Sequence, residues 1–210
     1  MRNNSGGNVP GSSAIEAMLR VASPALVDDG VMPSHPLADL LNRRNGFYAF
    51  LSALHVFPSG RSGVECSLEE WNAPDLWRSL YGDVGSEYTA FAEDLFGGQF
   101  LISNRGIHLL DPETSEIEFI APDLDGWCAL ILDDPEVLTG YPLAEEWQSS
   151  HGKIPTGMRL VPAKPFVLGG EFSAENLVLM ESGKGMRYRG ELAQKIRDIP
   201  DGGKIVLRYE

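Results

Sequence analysis

The chain is short of positive charge: 17 Lys and Arg stand against 30 Asp and Glu, a formal net charge of -13. A surface with that excess repels nucleic-acid phosphates and anionic lipid and attracts basic partners. The expectation is therefore no nucleic acid, no membrane, and a basic protein partner. Cysteine is also scarce. Cys66 and Cys128 are the only two, and neither lies in a CxxC or Cys/His cluster. That argues against a disulfide framework and a structural zinc site, and it fits a reducing, cytoplasmic location. No apolar run approaches the roughly 18 residues that a membrane helix needs. The N-terminal MRNNSGGNVPGSS has no apolar signal-peptide core and reads as a disordered tail over residues 1–13.

What is present is ordinary globular material. With 210 residues, 43% hydrophobic and 22% charged, the chain can bury a core. No repeat or long linker divides it, so residues 14–210 are expected to form a single α+β domain. Ile15, Met18, Leu19 and Ala22 fall at helical spacing. Ser34-His35-Pro36 starts a second helix with Leu37, Leu40 and Leu41 on one face, and Asn45-Gly46 stops it. Phe47 to Phe57 is dense in apolar residues and reads as one buried strand. Ser67 and Glu70 form a capping box for a short helix.

Four strand-like runs follow: Thr89 to Leu95, Gln99 to Ser103, Gly106 to Leu110 and Glu116 to Ile120. The gaps between them are too short for parallel crossovers, so the sheet is an antiparallel meander. Pro122 fits the first position of a helix whose Leu124, Trp127, Cys128 and Ile131 line one face. Pro135 limits that helix, and Tyr141-Pro142 opens another through Trp147. Met158 to Val161 and Asn176 to Met180 look like strands, Gly185 to Ile199 like a basic helix, and Lys204 to Tyr209 like a closing strand. Strand runs beside separate helices make the expected fold α+β: a meander sheet flanked by helices, with a strand-helix-strand extension at the C-terminus.

Few motifs carry chemistry. Ser182-Gly183-Lys184-Gly185 lacks the first Gly of a phosphate loop, since Val178 occupies that place, and Gly185 stands where Ser or Thr is needed. It reads as a turn. Gly97-Gly98 and Gly169-Gly170 also read as turns. His35, His55, His108 and His151 are scattered without metal-ligand spacing. No Ser sits in a G-x-S-x-G elbow, and Cys128 falls on the apolar stripe of its helix. No catalytic residue, cofactor or metal is therefore expected.

The carboxylates are the informative feature. Between Arg105 and Lys153 there is no Lys or Arg, and that interval holds eleven acids. The last 27 residues carry seven bases. The acid run is either a solvated face, balanced in part by the basic end, or a docking surface for a basic partner. In the docking reading the binding residues are Asp123, Asp125, Asp133, Asp134, Glu136, Glu145 and Glu146. Neighbouring acids on a helix diverge by about 100°, which disfavours Asp133-Asp134 or Glu145-Glu146 as an acid/base or cation-binding pair.

Several segments together resemble the SUKH superfamily, named for a yeast cell-wall synthesis regulator and its relatives and populated mostly by bacterial immunity proteins. Pro36-Leu37-Ala38-Asp39-Leu40-Leu41-Asn42-Arg43-Arg44-Asn45-Gly46-Phe47 is similar to its helix, Asn-Gly and aromatic segment. Phe91-Ala92-Glu93-Asp94-Leu95-Phe96-Gly97-Gly98-Gln99-Phe100 is similar to its strand-turn-strand, in which an acid precedes an aromatic and a Gly. Ile107 to Asp111, the Pro112-Glu113-Thr114 turn, and the Trp127 and Trp147 helices follow in the same order. The resemblance covers residues 34 to 150, leaving 151–210 as a subfamily extension. Members often carry a Trp and a Leu-Pro before the first helix, where this chain has Val31-Met32-Pro33.

The resemblance implies a non-catalytic binding domain that neutralises a cognate toxin domain, often a nuclease or deaminase, by direct contact. It treats Asp94 and Asn45-Gly46 as structural. Two rival expectations stand beside it. One is an intracellular regulatory or scaffold protein without a toxin partner. The other is a carboxylate-based hydrolase, which requires two acids from different elements in one pocket with shifted pKa values.

Overall fold

A computed structural model describes residues 13–28, 36–60, 63, 65–82 and 84–197. The expected tail (apart from Ser13), the Ser34-His35 helix start, Val31-Met32-Pro33 and the Lys204 to Tyr209 strand lie outside them.

Six strands form one antiparallel sheet in sequential order: β1 (Phe47–Ala49), β2 (Leu54–Val56), β3 (Thr89–Glu93), β4 (Gln99–Ser103), β5 (Gly106–Leu110) and β6 (Ile117–Ala121). The meander expected from the short gaps is therefore present, and the fold is α+β. β7 (Met158–Pro162) and β8 (Leu177–Glu181) pair antiparallel as a separate two-stranded sheet. The helices are α1 (Ala14–Val21), α2 (Ala38–Arg43), α3 (Leu68–Trp71), α4 (Leu124–Asp133), α5 (Pro135–Thr139), α6 (Tyr141–His151) and α7 (Ser182–Ile196). Ser67 accepts from the Glu70 amide and Glu70 from the Ser67 amide, the expected capping box of α3.

The largest core packs α1 to α4 against the sheet through Met18, Leu40, Phe57, Trp71, Phe91, Phe100 and Trp127, and Met186 of α7 joins it. A smaller core gathers Ala53, Leu95, Ala144, Trp147, Ile154, Leu160 and Leu177 where α6 meets the β7–β8 sheet. Leu95 ties the two together by backbone: its amide donates to Thr139 O, and its carbonyl accepts from Leu160 N.

Three expectations are corrected. The run from Phe47 to Phe57 is not one strand but a hairpin, because Phe50, Leu51 and Ser52 all adopt positive φ (51°, 53° and 69°) and reverse the chain. Apolar density reported burial correctly and missed the turn, which has no Gly or Asn to mark it. Pro122 precedes α4 instead of opening it, and Asp123 is the cap.

Ser182-Gly183-Lys184-Gly185 is the first turn of α7 and not a loop. Its glycines are packing residues. A Cβ at Gly185 would stand 3.0 Å from a Val161 methyl, and one at Gly190 would stand 2.8 Å from Leu80 Cβ. The Glu181 side chain takes the amides of Gly183 and Lys184, so this helix start is already capped by a carboxylate.

Candidate functional site

All seven carboxylates singled out from the sequence are exposed. Three also cap helices. Asp123 accepts from Gly126 N at 2.8 Å, and Asp134 from Val137 N at 3.2 Å. Asp125 accepts from the Ser13 hydroxyl and the Ile15 amide, which hold it below the usual carboxylate range and fix the start of α1. The ten residues of α4 span about 15 Å. Asp123 and Asp125 therefore sit at one end, and Asp133, Asp134 and Glu136 gather at the other, where α4 turns into α5. Glu145 and Glu146 follow on α6, outward of buried Ala144 and Trp147.

The acidic set is thus divided. Five residues run along the α4–α5–α6 corner, and two lie beside α1 and α2, where the Arg43 charge adds to the lowering of Asp125. Among the described residues none of the seven enters an ion pair. The basic helix α7 packs against β7, β8 and the 3-10 turn Arg78–Leu80.

Beside α5 lies a feature that the sequence did not reveal. A cavity of about 380 Å³ opens between the β3–β4 turn, the β5–β6 turn, Val137 of α5, the segment Phe166 to Phe172, and Arg189 of α7. Phe166 and Phe172 stack at 3.8 Å, and Phe96 meets both edge-on. Val137 is 77% exposed and Phe172 67%.

Two carboxylates from different elements line this cavity. Asp94 Oδ1 accepts from the amides of Phe96 (2.8 Å) and Gly98 (2.7 Å), and burial pushes the group up to about 7 against those donors and the Arg189 charge. Glu113 is 4% exposed; its Oε2 accepts from Val167 N at 2.8 Å while Oε1 has no partner. Burial raises its pKa too, in spite of the Val167 amide, the Arg189 charge and the Phe166 amide. Arg189, 2% exposed, is held in the wall by bonds from Nη1 to Phe96 O and from Nε to Gly185 O. The resemblance treated Asp94 as structural; its two amide bonds agree, and its place in the cavity adds to that. A larger cavity, about 540 Å³, lies at Arg78. There the guanidinium donates to the carbonyls of Gly85 and Tyr88, so the cation is occupied within its own loop.

A second missed feature is interior. Glu93 Oε1 receives His55 Nδ1–H at 3.1 Å and the Ser182 hydroxyl at 3.2 Å, and lies 3.0 Å from Arg159 Nε. Burial raises the Glu93 carboxyl, but the Arg159 charge and the two donors outweigh it, and its pKa falls below the usual range. Burial drives His55 down to about 4, so the ring is neutral with its proton on Nδ1. Serine and histidine both address the carboxylate and not each other. This is not the relay of a serine hydrolase, in which the base touches the nucleophile. The signal available in the sequence was Glu93 at the end of the apolar run Ala90-Phe91-Ala92 and Arg159 among the apolar residues of β7.

The two cysteines and the remaining described histidines are held by packing. Burial lifts the Cys66 and Cys128 thiols to about 12, far from the thiolate range. His151 stacks on Trp147 at 4.4 Å, and His108 lies edge-on between Tyr88 and Phe119. No group of three or more His, Cys, Asp or Glu fit to hold a metal exists among the described residues.

Fold and site together define an α+β protein with an exposed acidic helical corner beside an aromatic-rimmed cavity. No family model matches the chain, and no curated protein matches it. Among solved structures it is similar to the crystal structure of Atu4351 from Agrobacterium tumefaciens, with 10% identity, a TM-score of 0.49, and coverage of 83% of this chain and 87% of that one.

Proposed function

We propose that this protein is a non-catalytic binding protein of the immunity type, which neutralises a basic toxin domain by direct contact. The observation that carries the reading is the α4–α5–α6 corner: Asp133, Asp134, Glu136, Glu145 and Glu146 are exposed and, among the described residues, outside any ion pair. Such a surface steers a positively charged partner and orients it. Toxins that act on nucleic acids present basic clefts, because phosphate contacts dominate their affinity. The ordered motifs that resemble the SUKH superfamily support the same reading. The test is co-purification with the product of the neighbouring reading frame, repeated across a salt series.

One observation favours a second reading, a carboxylate-based hydrolase. Asp94 and Glu113 come from different elements, line one cavity, and both titrate above the usual carboxylate range. Asp94→Asn would abolish any such activity. Under the binding reading the acidic corner still captures the toxin in that variant. In the binding reading, Asp94 holds the β3–β4 turn and Glu113 holds Val167.

A further inference from the structure

We infer that the cavity beside α5 receives the cationic side chain of an Arg or Lys from a protein partner, its charged head against Glu113 and Asp94 and its alkyl stem against Phe166 and Phe172. The identity of the partner rests on the function proposed above; the chemistry of the site does not.

The first argument is an unmet acceptor. Glu113 is almost wholly buried and lines the cavity, yet its Oε1 has no hydrogen-bond donor. A buried acceptor without a donor costs free energy, and that cost is recovered by a ligand whose N–H group reaches it. The second is charge. Asp94, Asp111 and Glu113 line the cavity, with Arg189 as the one cation of the lining among the described residues. Arg189 is tethered to Phe96 O and Gly185 O, so it cannot swing across to Glu113 Oε1 without breaking its own bonds. Among the described residues Arg189 forms no ion pair with Asp94 or Glu113, so neither carboxyl has a paired cation.

The third argument is shape. A guanidinium or ammonium on an apolar stem is an amphipathic group that buries its methylenes and keeps its head polar. The stacked Phe166–Phe172 pair and Val137 supply the apolar wall, the aromatic faces attract cations, and the carboxylates stand at the polar end. An anion would meet three carboxylates, and a purely apolar group would leave Oε1 unpaired. The cavity adjoins Glu136 through Val137, so a basic chain steered to the acidic corner passes its entrance.

The experiment is an amide-resolved NMR titration of the full chain with blocked single residues: N-acetyl-arginine methylamide and the lysine, norleucine and glutamate equivalents. Saturable shifts are expected at Gly97, Gly98, Glu113 and Val167 with the arginine or lysine probe. Norleucine should bind about tenfold more weakly and glutamate not at all. Glu113→Gln should remove the preference for the cations over norleucine. Phe172→Ala, at an exposed position, should weaken both cation probes while the spectrum stays folded.

Equal binding of arginine and norleucine, or no saturable shift at these amides, overturns the inference. Failure here together with capture of the neighbouring-frame product refutes the cavity alone. Probe binding without capture refutes the toxin reading alone.

Discussion

Arg159 Nε stands 3.0 Å from Glu93 Oε1, and each side chain is only 1% exposed. One charge comes from the two-stranded sheet and the other from the six-stranded sheet, so the contact joins the C-terminal part of the chain to the meander. It is an ion contact without hydrogen-bond alignment, because Arg159 Nε and Nη2, Glu93 Oε2 and His55 Nε2 have no hydrogen-bond partner. Tyr48 completes the enclosure, with its ring stacked on His55 at 4.4 Å and Arg159 Cζ 5.5 Å from its centroid.

Removing one buried charge strands the other. Arg159→Met should destabilise the protein by about 3–5 kcal/mol, and the double variant Arg159→Met with Glu93→Gln should recover much of that loss. Urea denaturation of the two single variants and the double variant measures the coupling. Simple additivity would show that the pair is not a unit.

The same cluster makes the fold acid-sensitive. His55 titrates near 6.5 in an unfolded chain and at about 4 when folded. As pH falls through that interval the unfolded state takes up a proton that the folded state refuses, so stability drops. Glu93 acts in the same direction lower down, since its stabilisation is lost as its depressed carboxyl protonates. Thermal melts from pH 7 to pH 4 should show this decline, and His55→Gln should flatten its upper part.

Asp94 has the opposite sign. Its folded pKa of about 7 lies above the ordinary 3.8, so the unfolded chain ionises first as pH rises. The ionisable group therefore costs stability progressively from about pH 4 to pH 7. Asp94→Asn keeps an oxygen for the Phe96 and Gly98 amides. It should gain on the parent protein over that window, as followed by urea unfolding at each pH.

Gly140 links α5 to α6 at φ 75°, and a Cβ there would stand 2.7 Å from the Phe96 ring. Gly140→Ala should cost at least about 1–2 kcal/mol from the left-handed backbone alone. It should also displace Phe96, which circular dichroism melts and NMR shifts at the cavity amides would register.

The meander was legible because its turns carry Gly, Asn, Asp and Pro between short apolar runs. The α4 face was legible because Leu124, Trp127, Cys128 and Ile131 keep helical spacing. The β1–β2 hairpin was not, since its turn is built from Phe50, Leu51 and Ser52, whose positive φ no local residue type announces. The start of α7 was hidden because its glycines serve close packing against Val161 and Leu80, a tertiary demand that mimics a turn signal. The acids along α4 to α6 were found from charge alone. The cavity was not, because Phe96, Glu113, Phe172 and Arg189 are distant in sequence and meet only in the folded chain.

The central claim is that the acidic α4–α5–α6 corner engages a basic protein. Isothermal titration of the neighbouring-frame product should be run at low and high salt against the parent chain and a variant carrying Asp133→Asn, Asp134→Asn, Glu136→Gln, Glu145→Gln and Glu146→Gln. The account predicts tight binding at low salt, weakened on the order of tenfold or more both by salt and by the neutralised corner. Binding of equal strength in both proteins, unchanged by salt, would contradict it.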